Sequence, residues 1–500
     1  MNSVRRSLIF SALERYCSVV LVMIATAVLA RLLTPHEFGV YAILSAQTAV
    51  ASAAFQEFGG ANYLIQKPIL TERDVRTAFT VTLLLSLAFA AALFASRDAV
   101  ATFFDNGGMR VGIAVFCLCF LLSPFAITLS ALLRREMRFD VLARSNVAAT
   151  VVNVGATVIL ALNGFSFMAP IWGVVVGNLF LIASLWLSCP RLGIFRPSFT
   201  GYREVLRFGS CSSAVVVVNV FYQAFPQFIL GRLHGFDAAG LFARSMSISQ
   251  LYDRLVVQIL NPVIMPAMSA QSRAGGDLGR IYLSSIEMIT AIQWPILLYV
   301  TLMAQPLIEI WLGATWLQTV PLVQCLCLAA LSLFAACLTY PTLVAAGKVR
   351  DTLVSSLISL PPSILIVALA APHGAQAVAA SSLVTCPLQA IVAISFIAYR
   401  LNIRAPDILR HLIKSAFVAV CSVVGPLLIA GHMVAGDRGL DLVALLAAGT
   451  TAFVGWLSAL FFVSHPLADQ IRQFAPRVSS LWREFDFTVS RDARPENLAP

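Results

Sequence analysis

"RLLTPHEFGVYA", residues 31–42, interrupts two long apolar runs, and "RLHGFDAAGLFA", residues 232–243, does the same 201 residues later. At that shift Arg31 falls on Arg232, Leu32 on Leu233, Gly39 on Gly240 and Ala42 on Ala243. In each stretch one apolar segment ends in Arg-Leu and the next begins around a glycine. The first stretch has the chemistry of a helix start: Thr34 as N-cap, Pro35 at the first helical position and Glu37 three residues after the cap. A second echo pairs "VFCLCFLLSPFA" (115–126) with "VQCLCLAALSLFA" (323–335). The chain therefore reads as an internal repeat, and these turns are its punctuation.

What they punctuate is set by composition. Of 500 residues, 59% are hydrophobic and 12% charged, against about 25% charged in soluble domains. Apolar windows of about 20 residues recur along the whole length, the length of a membrane-spanning helix. A membrane β-barrel would show shorter, alternating segments. The expected fold is an all-α polytopic membrane protein of about 14 transmembrane helices. Spans are expected near 8–30, 40–64, 77–96, 111–133, 143–163, 166–188, 210–231, 240–263, 281–303, 318–341, 352–371, 375–398, 415–434 and 442–464. The N-terminal run is too long for a signal peptide and carries Glu14-Arg15 in its middle, so it is read as span one.

A repeat of six spans returns the chain in the same orientation, which makes the repeat parallel about an axis along the membrane normal. Two six-helix lobes, 1–190 and 208–400, are expected around a central cavity. A linker at 191–207 joins them. An amphipathic segment with spans 13 and 14 follows at 401–464, then a tail at 465–500. Of the 34 Lys and Arg, 26 fall on the side of the N-terminus, five on the other side and three inside spans. That bias places both termini in the cytoplasm. The net charge of +10 follows from the same asymmetry and suits an anionic lipid surface. No folded basic module for nucleic acid is visible.

The ten Cys lie in or beside apolar runs, so no disulfide framework is implied. The six His make no metal-spaced cluster. No G-x-x-x-x-G-K-[ST] motif occurs, so this chain does not hydrolyse ATP through a P-loop. No cofactor is expected.

Intramembrane charge costs about 2.5–3.5 kcal/mol per central residue on the insertion scale, and so marks function. Span one carries Glu14, Arg15 and Ser18 on a helical stripe; span two carries Ser45, Thr48, Ser52 and Glu57. Span seven carries Asn219 and Gln223, and span eight Arg244, Ser247, Gln250, Arg254 and Gln258, with Asp253 alongside. These are the first two spans of each lobe, and four polar faces from equivalent helices converge most simply on one water-filled cavity. Arg15 and Arg254, with Arg244, are the expected substrate contacts. Glu14, Glu57, Asp253 and Glu287 are candidates for lining or coupling; several of these charges have an alternative use in pairing with one another. Arg31 and Arg232 read as interfacial anchors of the two external turns, beside Gly39 and Gly240. The neutral stripe of span five (Asn146, Thr150, Asn153, Thr157) reads as helix–helix contact.

Four stretches carry a resemblance to a known family: "ARLLTPHEFGVYA", "GGANYLIQKPILTERDVRTAFT", "ALLRREMRFDVLARSN" and "GRLHGFDAAGLFARS … ILNPVIMPAMSAQ". The chain resembles the polysaccharide-transporter branch of the Wzx-type flippases, in the multidrug/oligosaccharidyl-lipid/polysaccharide (MOP) exporter superfamily. The third stretch resembles the subgroup that exports exopolysaccharides such as succinoglycan and colanic acid. Two departures stand out. "QAFPQFILGR" lacks the acidic residue that members often carry in span seven, and Phe242 replaces the usual Tyr.

The resemblance implies a non-enzymatic flippase. It would carry a polyprenyl-pyrophosphate-linked oligosaccharide repeat unit from the cytoplasmic to the periplasmic leaflet by alternating access. Arg15 and Arg254 would hold the pyrophosphate, and Glu57 or Asp253 would re-pair during the cycle, with proton or sodium left open as coupling ion. Membrane lipid and polysaccharide polymerase or export machinery are the implied partners. The alternatives are a lipid II flippase, a drug/cation antiporter of the same superfamily and, most remotely, a membrane polymerase or ligase. The last would need a large external catalytic loop; the longest expected here is 97–110.

Overall fold

The computed structural model describes residues 2–58, 61–67, 69–190, 192–257, 268, 277–346, 348–435, 442–469 and 471–472. Among them every regular element is helical. The α-helices are α1 (Asn2–Leu32), α2 (Pro35–Phe58), α3 (Ala61–Gln66), α4 (Glu72–Phe103), α5 (Gly108–Arg135), α6 (Phe139–Leu162), α7 (Met168–Ser188), α8 (Tyr202–Leu233) and α9 (Gly235–Ser249). Then follow α10 (Leu278–Leu302), α11 (Ala304–Trp311), α12 (Val320–Ala330), α13 (Phe334–Ala345), α14 (Val349–Ala370), α15 (Ala375–Leu401), α16 (Ala405–Ala435) and α17 (Leu442–Phe462).

Eleven described helical segments are long and apolar enough to cross a membrane, against the fourteen spans expected. The three expected spans outside that set are two, seven and eight. Each carries a polar stripe; parts of spans two and eight lie outside the described residues, as do the side chains of 210–215 in span seven. Large apolar side chains stand exposed on the outward faces, among them Phe462, Val443, Leu187 and Leu162. A water-soluble fold would bury such residues; here lipid is their solvent.

The chain forms two compact units: 1–276 with 304–397, and 277–303 with 398–500. Their boundaries differ from the expected lobe boundaries at 190, 208 and 400. The cause is α10, which packs along α16, while α16 packs along α17. The amphipathic segment expected at the start of 401–464 is also not a separate element. Asn402, at φ 52, ends the turn after α15, and α16 then runs unbroken from Ala405.

In the first unit α2 packs against α8 and α9, α4 against α5, and α6 against α1 and α7. Val40, Ile43, Leu44, Met109, Phe116, Phe120 and Ile171 form one core of this unit. Leu230, Phe242, Leu322, Val367 and Val378 form another. Lipid tails are as apolar as leucine, so close packing rather than burial holds such helices together. The α6–α7 pair shows how. A Cβ at Gly173 would strike Thr157 Oγ1, and one at Gly177 would lie 2.8 Å from Asn153 Cβ, so this G-x-x-x-G face lets two backbones meet. The polar bonds of the span-five stripe fall within α6 and on α1: Thr157 Oγ1 donates to the Asn153 carbonyl at 2.8 Å, and Asn146 Nδ2 donates to Glu14 Oε1 at 2.6 Å.

The stretch at 31–42 folds as its chemistry dictates. Thr34 N–H donates to Glu37 Oε2 at 2.9 Å and Glu37 N–H returns a bond to Thr34 Oγ1 at 3.3 Å, closing a capping box. Its echo is in direct contact with it. A Cβ on Gly39 would fall on the carbonyl oxygen of Phe236, and a Cβ on Gly240 on the carbonyl oxygen of Pro35. Pro35 and Phe236 are themselves equivalent under the 201-residue shift, so the contact is reciprocal. His36 and Asp237, equivalent as well, face each other at 3.4 Å.

Candidate functional site

Helical spacing assembles the candidate site from two faces. On α1, Arg15, Ser18, Val19, Val22, Met23 and Thr26 follow one another at steps of one, three or four, which keeps them on one side. On α9, Arg244, Ser247 and Ile248 do the same, and Leu251 and Arg254 join them from the segment after it. With Trp311 from α11 these residues line a cavity of about 210 Å³. Among the described residues its wall carries three guanidinium groups and no carboxylate.

The three arginines sit at different depths. Arg15 is exposed, Arg254 half-buried and Arg244 3% exposed. Arg244 is therefore not a snorkelling interfacial residue. Its guanidinium carbon lies 3.8 Å from the Phe38 ring centre and 4.9 Å from that of Trp316. These aromatic faces offset part of the cost of burying a cation. Its Nε and Nη2 nonetheless donate to nothing among the described residues. A buried charge with idle donors is expensive unless an anion completes it.

Two tryptophans fix this end of the cavity. Trp316 Nε1 donates to the Ala30 carbonyl at 2.7 Å, and Trp311 Nε1 to the Met23 carbonyl at 3.3 Å. Arg31 Nη2 adds a bond to the Ile310 carbonyl at 3.2 Å, so this expected anchor clips α1 to the end of α11. Arg232 lies over the Phe103 ring at 5.3 Å. Sequence reasoning missed Phe38, Trp311 and Trp316. The signal available was "WLGATW", two indoles bracketing a Gly turn at 311–316.

Of the expected site residues, Arg15, Arg244 and Arg254 are brought together. Glu14 is spoken for by Asn146, whose partnership is between α6 and α1. Asn219, Gln223, Gln250 and Asp253 do not line this cavity. The expected uninterrupted stripe over 240–263 is corrected: α9 ends at Ser249, and residues 253–257 form a π-helical turn, so Asp253 and Arg254 no longer follow the α spacing. Glu287 belongs to the other unit, where His411, Lys414 and His465 surround it. Gln258 lies outside the described residues, as does the side chain of Glu57. Among the described residues no His, Cys, Asp and Glu group could hold a metal ion.

The sequence profile described as "Polysaccharide biosynthesis protein" matches residues 28–321. Lipopolysaccharide biosynthesis protein WzxC of Escherichia coli is 22% identical over 326 residues, 64% of this chain and 66% of that one. Succinoglycan biosynthesis transport protein ExoT of Rhizobium meliloti is 22% identical over 351 residues, 69% of this chain and 70% of that one. The chain thus matches about two thirds of the length of these relatives. In fold it is similar to lipid II flippase MurJ in an inward closed conformation, with a TM-score of 0.71 at 11% identity over 91% of this chain and 98% of that one. It is also similar to an inward-facing multidrug resistance MATE transporter of the MOP superfamily, with a TM-score of 0.62 at 15% identity over 78% of this chain and 98% of that one. The profile covers more than half of the chain and includes both α1–α2 and α8–α9 turns: the chain belongs to the polysaccharide biosynthesis protein family.

Proposed function

We propose that this protein is a flippase of the bacterial inner membrane that moves a polyprenyl-pyrophosphate-linked oligosaccharide from the cytoplasmic to the periplasmic leaflet. The observation that carries the proposal is the cavity wall, which among the described residues holds three arginines and no carboxylate. A drug/cation antiporter needs the opposite charge. A sugar chain and a diphosphate cannot cross about 30 Å of hydrocarbon unaided. Guanidinium forks at Arg15, Arg244 and Arg254 would replace the hydration of the diphosphate, while the prenyl tail stays in lipid. The names of WzxC and ExoT support a surface- or exopolysaccharide substrate. The Lys and Arg asymmetry supports cytoplasmic termini. In this orientation the α1–α2 and α8–α9 turns face the periplasm, and the Trp311, Trp316 and Arg31 contacts close that side. Opening them while the cytoplasmic side closes would complete alternating access.

The test is transport in proteoliposomes loaded with a labelled lipid-linked repeat unit, its leaflet read by an impermeant reagent. Wild type is expected to move the label and Arg244→Ala to fail while still folding. Equal movement with and without protein would refute the proposal. Movement of lipid II but not of the oligosaccharide repeat unit would favour the peptidoglycan precursor instead.

A further inference from the structure

Glu287 is 2% exposed on α10, yet three basic side chains from two other segments close on it. His411 Nδ1 lies 2.5 Å from Glu287 Oε2. Lys414 Nζ lies 3.7 Å and His465 Nε2 3.8 Å from Oε1, and neither bonds it. Ser415 Oγ donates to the Glu287 backbone carbonyl at 2.9 Å, tying α16 to α10 at this point. These are the only charged or titratable groups within ion-pair distance of Glu287 among the described residues.

The protons can be placed from the bonds. Leu467 N–H donates to His465 Nδ1 at 3.2 Å, so that nitrogen carries no proton and Nε2 carries one. His465, fully buried, is thereby fixed as a neutral donor facing Oε1. His411 must hold its proton on Nδ1, because two lone pairs would repel at 2.5 Å from the carboxylate. Its Nε2 is then free to take a second proton, and its side chain is 34% exposed.

We propose that Glu287, His411 and Lys414 form a proton-binding site in which two cations compete for one buried carboxylate. With His411 neutral, Lys414 is the counter-charge of Glu287. When a proton adds to His411 Nε2, the imidazolium on Oε2 neutralises the carboxylate, and Lys414, itself 45% exposed, becomes surplus and turns to solvent. The proton is bound and released with no other bond made or broken. A sodium ion does not fit: among the described residues one carboxylate faces the site and an ammonium already stands beside it. Histidine changes charge within the physiological range, so proton occupancy resets what clasps α10 to α16. The site's existence is independent of the transport reading; only its placement at the cytoplasmic ends of these helices rests on it.

The experiment is ¹⁵N-histidine NMR of the full-length protein in lipid nanodiscs from pH 5 to 8.5, with the His411 signal assigned by its loss in His411→Gln. The His411 signal is expected to move its transition to higher pH in Lys414→Met, where its competitor is gone, and to lower pH in Glu287→Gln. A midpoint unchanged in Lys414→Met, or a His411 that does not titrate in wild type, would overturn the proposal. If Glu287→Gln does not fold, wild type against Lys414→Met decides alone, since Lys414 is partly exposed. Flippase activity is not read, so failure here leaves the transport proposal standing, and failure of transport leaves this one.

Discussion

The guanidinium of Arg244 stacks 3.8 Å from the ring centre of Phe38, so the most buried of the three cavity arginines, on α9, is held by a residue beside the α1–α2 turn. Arg244→Lys keeps the charge but loses the planar stack and the fork. It is expected to weaken binding of a short-chain prenyl diphosphate about tenfold or more, equivalent to about 1.4 kcal/mol, with the melting temperature little changed. Titration calorimetry in detergent reads the first quantity and fluorescence the second.

Arg15 is exposed where Arg244 is buried, and salt screens exposed charges more strongly. Arg15→Gln should therefore weaken diphosphate binding at low ionic strength and make little difference at high salt. Arg254→Gln should weaken it at both. The comparison is one binding isotherm per variant at each of two salt concentrations.

Because Gly39 and Gly240 each accommodate the other's neighbouring carbonyl, Gly39→Ala and Gly240→Ala should be alike in effect. Each added methyl meets backbone rather than a movable side chain and should cost about 1–3 kcal/mol. Unfolding midpoints measured side by side would show it. One substitution tolerated and the other not would mean that the contact is not reciprocal.

Trp316→Phe keeps a ring under Arg244 but removes the indole N–H from the Ala30 carbonyl. The lost hydrogen bond should cost about 1 kcal/mol. It should also speed labelling of a cysteine placed at Thr26 in the cavity, because α1 is less firmly clipped at that end.

Burial pushes the His465 imidazole below its ordinary pKa; Glu287 pulls it up and Lys414 pushes it down again. A histidine that prefers to be neutral when folded contributes stability that is complete above about pH 6.5, its unfolded value. That contribution is lost as pH falls below it. The unfolding midpoint should therefore drop between pH 7.5 and 5.5, and His465→Gln should flatten the slope.

Local rules wrote much of the fold openly. Thr34 and Glu37 announce a capping box three residues apart, and the box forms. The echo of Gly39 in Gly240 is equally local to read, and the two meet. Arg15 with Ser18, and Arg244 with Ser247, share a face by helical arithmetic alone. What could not be read has partners far away in the chain. Glu287 finds His411 at 124 residues' separation, and no spacing rule links them, so a buried carboxylate in span nine looked like a cavity group. The π-helical turn at 253–257 was also hidden, because residues 250–257 hold no Gly or Pro to mark a break in the helix. Phe38 and Trp316 were illegible for a simpler reason: an aromatic residue in an apolar run announces nothing until a cation is found beneath it.

The reciprocal seam at Gly39 and Gly240 is of the kind that joins two identical subunits across a two-fold axis, where i touches j and j touches i. A chain of half this length would carry the entire seam and would meet its own duplicate through it. Joining the duplicates into one polypeptide keeps that seam while releasing each half to differ elsewhere. The 201-residue shift that superposes Gly39 on Gly240 places Ile43 on Arg244. Ile43 is fully buried in the core beside α5 and α7, and its counterpart is the cavity's deepest cation. A symmetric dimer would have to present isoleucine twice or arginine twice. The fused chain presents one of each, and so has a positive cavity with a single polarity.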